Sequence, residues 1–200
     1  GLGGLKGTGL SAIDVILVER NKNGPFLSLF DFTSRLDLRK VNRRAIESLI
    51  RAGAFDKLNS NRASLLASVN LAISLADQAN ANLGQNSLFA EADTQKINLI
   101  EMAPWEDKQQ LSEEKIAIGF YFSGHPFKFY QKIISGFVSE NLSDLKPRES
   151  SYLIAGIISA IRIRMTSRGK IAIVTLDDGK ARIEMFVGNT VLNEAQSLLK

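Results

Sequence analysis

The sequence predicts an α+β fold: a mostly helical amino-terminal part with two helical hairpins in tandem, then an incomplete antiparallel β domain. Three observations predict it. Apolar residues recur at three- and four-residue spacing as far as about Ala79. Between Asn80 and Gln110 that periodicity fails, and Asn, Gln, Ala and acids dominate. From Tyr152 onward, runs rich in Ile and Val alternate with turn residues. The 200 residues, 44% hydrophobic and 23% charged, suffice for one large domain or two small ones and exclude disorder throughout.

Ser11 and Asp14 stand at capping-box spacing, so a helix is expected from Ser11, with Ile13, Ile16, Leu17 and Arg20 recurring along it. Asn23, Gly24 and Pro25 stop it. A short helix is expected over Leu27 to Arg35. Asn42 then reads as the N-cap of a helix with Ala45, Ile46, Leu49 and Ile50 on one face, ended by Gly53 as its C′ residue. Ser60 or Asn61 begins a longer helix through about Ala79, striped by Leu65, Leu66, Val69, Ile73 and Ala76. The Asn80–Gln110 stretch, interrupted by Pro104, reads as extended and mobile.

Ser112, Glu113 and Glu114 open a further helix to about Phe120, and Gly124, His125 and Pro126 break it. Another helix is expected from Pro126 to Ser135. Three strands follow, Tyr152–Met165, Ile171–Leu176 and Arg182–Val187. Ser167–Gly169 and Asp177–Gly179 join them as hairpin turns, and a final helix starts at Thr190.

With no cysteine, the chain has no disulfide, no thiolate metal site and no cysteine nucleophile. A single histidine, His125, excludes a zinc site of the usual His and Cys type. No apolar run approaches the roughly 20 residues that cross a bilayer, so a soluble protein is expected. The opening GLGGLKGTG has neither an initiator Met nor a signal-peptide layout, and reads as the middle of a longer chain. Net charge is only +4, yet its distribution is uneven. Arg35 to Arg51 carries six basic residues against two acids; Asp77 to Glu114 carries eight acids against two lysines; Arg162 to Lys170 carries four basic residues and no acid.

Two features point to phosphate. In Lys6, Gly7, Thr8 and Gly9, two glycines one residue apart let a backbone approach an anion at a helix start, where amides and the helix dipole favour it. Gly7 to Ala12 also fits G-x-G-x-x-A, but no buried strand precedes it, which argues against a dinucleotide site. Arg39, Lys40, Arg43 and Arg44 lie at or before the start of another helix, where cations oppose the dipole unless an anion binds. Such contacts would hold phosphates without reading bases. The plainer alternatives are a tight turn between helices and a solvated charged face.

GLGGLKGTG followed by a helix, then SLFDFTSRLDLRKVNRRAIESLIRAGAFDKL, resembles the tandem helix-hairpin-helix region of the catalytic alpha subunit of bacterial replicative DNA polymerase III. The resemblance covers nearly the whole chain, as a late part of a much larger polymerase. It implies that residues 1–58 grip duplex DNA, with Gly7, Thr8 and Gly9 donating amides and Lys6, Arg39, Lys40, Arg43 and Arg44 supplying charge. Residues 59–147 would form a helical region with a flexible loop over 80–110. There Gln85, Ser87, Leu88 and Phe89 resemble the family's sliding-clamp-binding pentapeptide: Gln85 would bond the pocket rim while Leu88 and Phe89 insert. Residues 148–200 would be the first three strands and helix of an OB-fold, associated with single-stranded template. Arg162 and Arg164 alternate with Ile161 and Ile163 and so share a face; Arg168 and Lys170 follow on the hairpin. The only rings there are Tyr152 and Phe186, so electrostatics should dominate. Strands 4 and 5 are missing, so an exposed sheet edge is expected.

The resemblance further implies a cytoplasmic protein, double-stranded DNA, a sliding clamp and other replicase subunits as partners, and no membrane. The family's catalytic carboxylates lie in an upstream domain. No catalytic or metal-binding residue and no cofactor are therefore expected here, while the parent polymerase would use magnesium. His125 and the Asp177–Asp178 pair read as turn residues. Two alternatives stand beside this reading: a helix-hairpin-helix DNA-repair enzyme or nuclease-associated module, separated by an incision assay, and a protein-interaction scaffold with an incidental charge pattern, separated by loss or persistence of DNA binding as salt rises.

Overall fold

The computed structural model of the chain describes residues 1–84, 97–138, 140–167 and 169–195. Two compact units emerge, Gly1–Ser123 and Gly124–Lys200.

The first unit is helical: α1 (Leu10–Asn23), α2 (Leu29–Arg35), α3 (Arg43–Arg51), α4 (Arg62–Ala67), α5 (Val69–Gly84) and α6 (Asp107–Ile118). α1 starts one residue earlier than expected and without the Ser11–Asp14 box. Its N-cap is Gly9, whose extended backbone leaves its carbonyl accepting from Ala12 and Ile13, so Ser11 is already inside the helix. Asn23 and Gly24 end it as expected, Gly24 at φ +83°. α2 is capped by Ser28, whose hydroxyl accepts from the Asp31 N–H at 3.0 Å, while the Asp31 carboxylate accepts from Leu27 N–H at 2.9 Å. Asn42 caps α3 by accepting from the Ala45 N–H. Gly53, at φ +80°, closes α3 with a Schellman pair, Gly53 N–H to Ile50 O and Ala54 N–H to Leu49 O.

The long helix expected to Ala79 is two. Asn61 caps α4, and Ser68 separates α4 from α5 because its hydroxyl bonds back to the Ser64 carbonyl at 2.7 Å, a contact that bends helices. α5 then runs on to Gly84. The same Ser68 hydroxyl accepts from Ile100 N–H and the Ser64 hydroxyl from Met102 N–H, while the Asn61 amide donates to the Met102 carbonyl. Residues 97–106, expected to be extended and mobile, are therefore extended but docked on α4. α6 begins at Asp107, not Ser112, with no side-chain cap, and ends at Gly119 in the left-handed region. The core of this unit joins Ile13 and Ile16 of α1, Leu29 and Phe32 of α2, Ile46, Leu49 and Ile50 of α3, and Leu65 and Val69 of α4–α5. Phe26, Phe32 and Phe55 stack edge-on through it at 4.8 and 5.0 Å.

In the second unit the helix expected from Pro126 to Ser135 is a 3₁₀ turn, Pro126–Phe129, followed by the single-turn α7 (Gln131–Ile134). Pro126 lacks an N–H, and the His125 ring takes the Phe127 N–H instead, which favours the tighter turn. After a 3₁₀ turn at Leu142–Asp144, strands β1 (Ile157–Thr166), β2 (Gly169–Asp177) and β3 (Arg182–Val187) form an antiparallel sheet in order β1-β2-β3, and α8 (Asn189–Ala195) follows. β1 begins five residues later than Tyr152. One sheet face buries Ala172, Val174 and Leu176 against Leu142 and Leu192; β1 lies almost wholly exposed at the edge. Helices with a three-stranded antiparallel sheet are the predicted α+β class, consistent with a partial OB-type domain.

Candidate nucleic-acid interface

The backbone of the Lys6–Gly9 turn is accounted for group by group. Leu5 C=O accepts from the Thr8 N–H at 3.3 Å and from the Thr8 hydroxyl at 2.9 Å. Lys6 N–H donates to Ala117 O at the end of α6 at 2.8 Å, and Lys6 C=O accepts from the Ser48 hydroxyl on α3 at 2.7 Å. Gly7 adopts φ +85°, a region L side chains rarely enter. Among the described residues, the N–H groups of Gly7, Gly9, Leu10 and Ser11 donate to no protein acceptor. They form a patch of donors at the positive end of α1.

Of the six basic residues between Arg35 and Arg51, four have carboxylate partners. Arg35 is structural: it pairs with Glu19 at 2.9 Å and Asp31 at 3.2 Å and lies 4.5 Å from the centre of the Phe26 ring. Arg39 pairs with Asp37 at 3.1 Å, Arg43 with Glu47 at 2.6 Å and Arg51 with Glu113 at 2.8 Å. The Asp37 carboxyl is held below its ordinary range by the Arg39 guanidinium. Lys40 and Arg44 form no ion pair among the described residues. Arg44 stands out by position: its Nε lies 3.0 Å from where a Cβ on Gly7 would sit. The structure thus joins the two features the sequence left separate, seating an exposed guanidinium from α3 beside the donor patch of α1. Arg39 and Arg43 are exposed but already paired. Lys6 is exposed, with its side chain against Gly119.

A buried ionic cluster supports this region. Glu114 is fully buried and accepts from Arg62 at 3.1 Å, from the N–H groups of Phe122 and Ser123, and from the Ser123 hydroxyl. Burial alone would raise its carboxyl, but the Ser123 donors, with Arg62 and Phe122, outweigh it and hold it below the ordinary range. Arg62 also grips Asp56 at 2.6 Å and the Arg51 carbonyl. The sequence reading does not pick out Arg62, and it takes Glu114 only as a residue at the start of a helix. Ser48 has a legible signal, a hydroxyl interrupting the apolar face of Ala45, Ile46, Leu49 and Ile50.

In the second unit the strand register confirms that Arg162 and Arg164 share a face: Arg162 stands opposite Ile173, which stands opposite Phe186, and Arg164 opposite Ile171. Phe186 is 74% exposed there. Arg162 is ion-paired with Glu184. Lys170 lies at the start of β2, paired with Met165. Of the two aspartates expected in the turn, Asp177 is instead the last residue of β2, opposite Arg182 in the sheet, and only Asp178 stands in the turn. Both are buried: Asp177 takes Gly179 N–H and pairs with Arg182 at 2.5 Å, while Asp178 takes the N–H groups of Lys180, Ala181 and Leu142. His125 lies 3.4 Å from Asp177. Gln85, Ser87, Leu88, Phe89 and Arg168 lie outside the described residues. Among the described residues no carboxylate or histidine cluster could hold a metal ion, and no helix is long and apolar enough to cross a membrane.

Residues 1–65 match the helix-hairpin-helix motif family. The whole chain is similar to DNA polymerase III subunit alpha: 43% identical over 201 residues to that of Neisseria meningitidis, 38% over 210 residues to that of Escherichia coli, and 35% over 224 residues to that of Pseudomonas aeruginosa. Each alignment takes in 100% of this chain but only 18% or 19% of the relative. The resemblance read from the sequence therefore holds along its full length, and the chain spans less than a fifth of the proteins it matches.

Proposed function

We propose that this chain is the part of a DNA polymerase III alpha subunit that holds duplex DNA by its phosphates and tethers the polymerase to the sliding clamp during replication. The observation that carries the reading is Arg44 beside Gly7, a cation from one helix start placed against the unoccupied amides of another. A backbone phosphate supplies the anion that both features lack, accepting N–H bonds from the turn and a charge-assisted bond from the guanidinium. Lys40 and Lys6 add longer-range attraction, and Arg39 and Arg43 contribute by exchanging a surface carboxylate for a phosphate, a trade between weak exposed pairs.

The other segments follow the same reading. Residues 1–58 hold duplex. Within residues 59–147, Gln85, Ser87, Leu88 and Phe89 are the clamp-binding peptide, which raises the local concentration of the polymerase at the primer end. Residues 148–200 face single-stranded template through Arg162, Arg164, Arg168 and Lys170, with Phe186 as a stacking surface on the same face as Arg162. The setting is a replicase in the bacterial cytoplasm, with magnesium used by the parent polymerase outside these residues.

Titration of a fluorescent duplex with this chain at stepped salt tests the reading. Expected is binding indifferent to base sequence, with log K falling linearly against log salt. Base-specific binding, or binding unaffected by salt, contradicts it.

A further inference from the structure

We infer that Ser48 is a positioning residue for the phosphate-holding turn, aiming the Gly7 amide outward. This rests on the DNA-holding reading and deepens it. In a trans peptide the C=O of one residue and the N–H of the next point in opposite directions. The Lys6–Gly7 peptide is trans, and its carbonyl oxygen is held by the buried Ser48 hydroxyl of α3 at 2.7 Å. The Gly7 N–H therefore points away from α3. The preceding peptide is fixed as well, because Lys6 N–H donates to Ala117 O in the last turn of α6 and Leu5 C=O takes both donors of Thr8.

Lys6 is thus pinned on both its polar groups by two helices, and the positive φ of Gly7 begins where that restraint ends. Ser48 lies one turn along α3 from Arg44, so a single helix face sets both the direction of the amide and the place of the guanidinium. Without the hydroxyl, the Lys6 carbonyl is left without its partner in a part-buried setting and the peptide gains a reason to rotate toward solvent. Rotation turns the Gly7 N–H out of line with a phosphate while leaving every positive charge in place. The signature is loss of affinity without loss of salt dependence.

The test compares wild type, Ser48→Ala, Ser48→Thr and Arg44→Gln in binding a short duplex across a salt series, each below its own unfolding temperature. The Gly7 amide signal is followed by NMR during the titration. Expected are binding about fivefold weaker in Ser48→Ala with an unchanged salt slope and a smaller Gly7 shift, recovery in Ser48→Thr, and a shallower slope in Arg44→Gln. Wild-type affinity and a wild-type Gly7 shift in Ser48→Ala, with Arg44→Gln impaired, overturn the inference alone. Absence of duplex binding by folded wild type overturns the reading beneath it.

Discussion

The Arg44 guanidinium lies against Gly7, its Nε 3.0 Å from the position a Cβ would occupy, so the turn before α1 and the start of α3 share one surface. An alanine at residue 7 meets two penalties. Its backbone must hold φ +85°, costing about 1–2 kcal/mol, and its methyl group must push Arg44 aside. Gly7→Ala is expected to lower stability by that amount in urea denaturation and also to weaken duplex binding, whereas Gly24→Ala, at a similar φ with open space around it, is expected to lower stability alone.

The buried Arg62–Glu114 pair predicts an acid-sensitive helical unit. The folded-state carboxyl of Glu114 sits below its unfolded value, so its contribution is present above the unfolded pKa and is lost as pH falls through the folded one. Thermal melts followed by circular dichroism should show stability declining below about pH 4, a decline that Glu114→Gln should flatten. At neutral pH, Glu114→Ala leaves the Phe122 and Ser123 N–H groups without their acceptor and takes one of the two carboxylates from Arg62, which keeps Asp56, and is expected to cost about 1–3 kcal/mol. An unaltered melt in Glu114→Ala would contradict the role assigned to the cluster.

The outer face of the sheet yields a prediction of opposite sign. Arg162 is neutralised by Glu184 across β2, so Glu184→Gln frees a cation beside Phe186. Single-stranded oligonucleotide should then bind more tightly, with a salt slope steeper by about 0.7. Fluorescence anisotropy at several salt concentrations reads both, and weaker binding in the variant would count against a template role for this face.

For the clamp peptide, Leu88→Ala combined with Phe89→Ala should abolish saturable binding of this chain to the sliding clamp of the same organism, measured by calorimetry. No binding by folded wild type would remove the tethering role and leave the DNA-holding reading standing.

Legibility in the sequence followed the range of the interaction. The Asn42 cap and the Gly53 and Gly24 stops are set within a few residues, and each stands where the pattern put it, while the turn expected from Asp177 opens one residue later, at Asp178. Misplaced features depend on distant partners. Ser68, whose hydroxyl bonds back to the Ser64 carbonyl and so breaks a continuous stripe, also serves the distant Ile100, and residues 97–106 are docked because Asn61 and Ser64 lie below them. Ser11 looked like a cap, but Gly9, which must already be extended for the turn, takes that place. In the candidate site, composition showed a basic run without showing which charges were spent internally. Arg35 and Arg51 face Glu19 and Glu113, far away in sequence, and only the fold singles out Arg44.

The most direct test of the account is the difference in salt slope between wild type and Arg44→Gln on one duplex. A guanidinium that contacts one phosphate releases about one counterion, so the variant's slope should be shallower by about 0.9 and its affinity lower by the same factor on every sequence tried. Identical slopes for the two proteins would mean that Arg44 touches no phosphate, and the turn beside it would then be a structural feature of the helical unit with no DNA to hold.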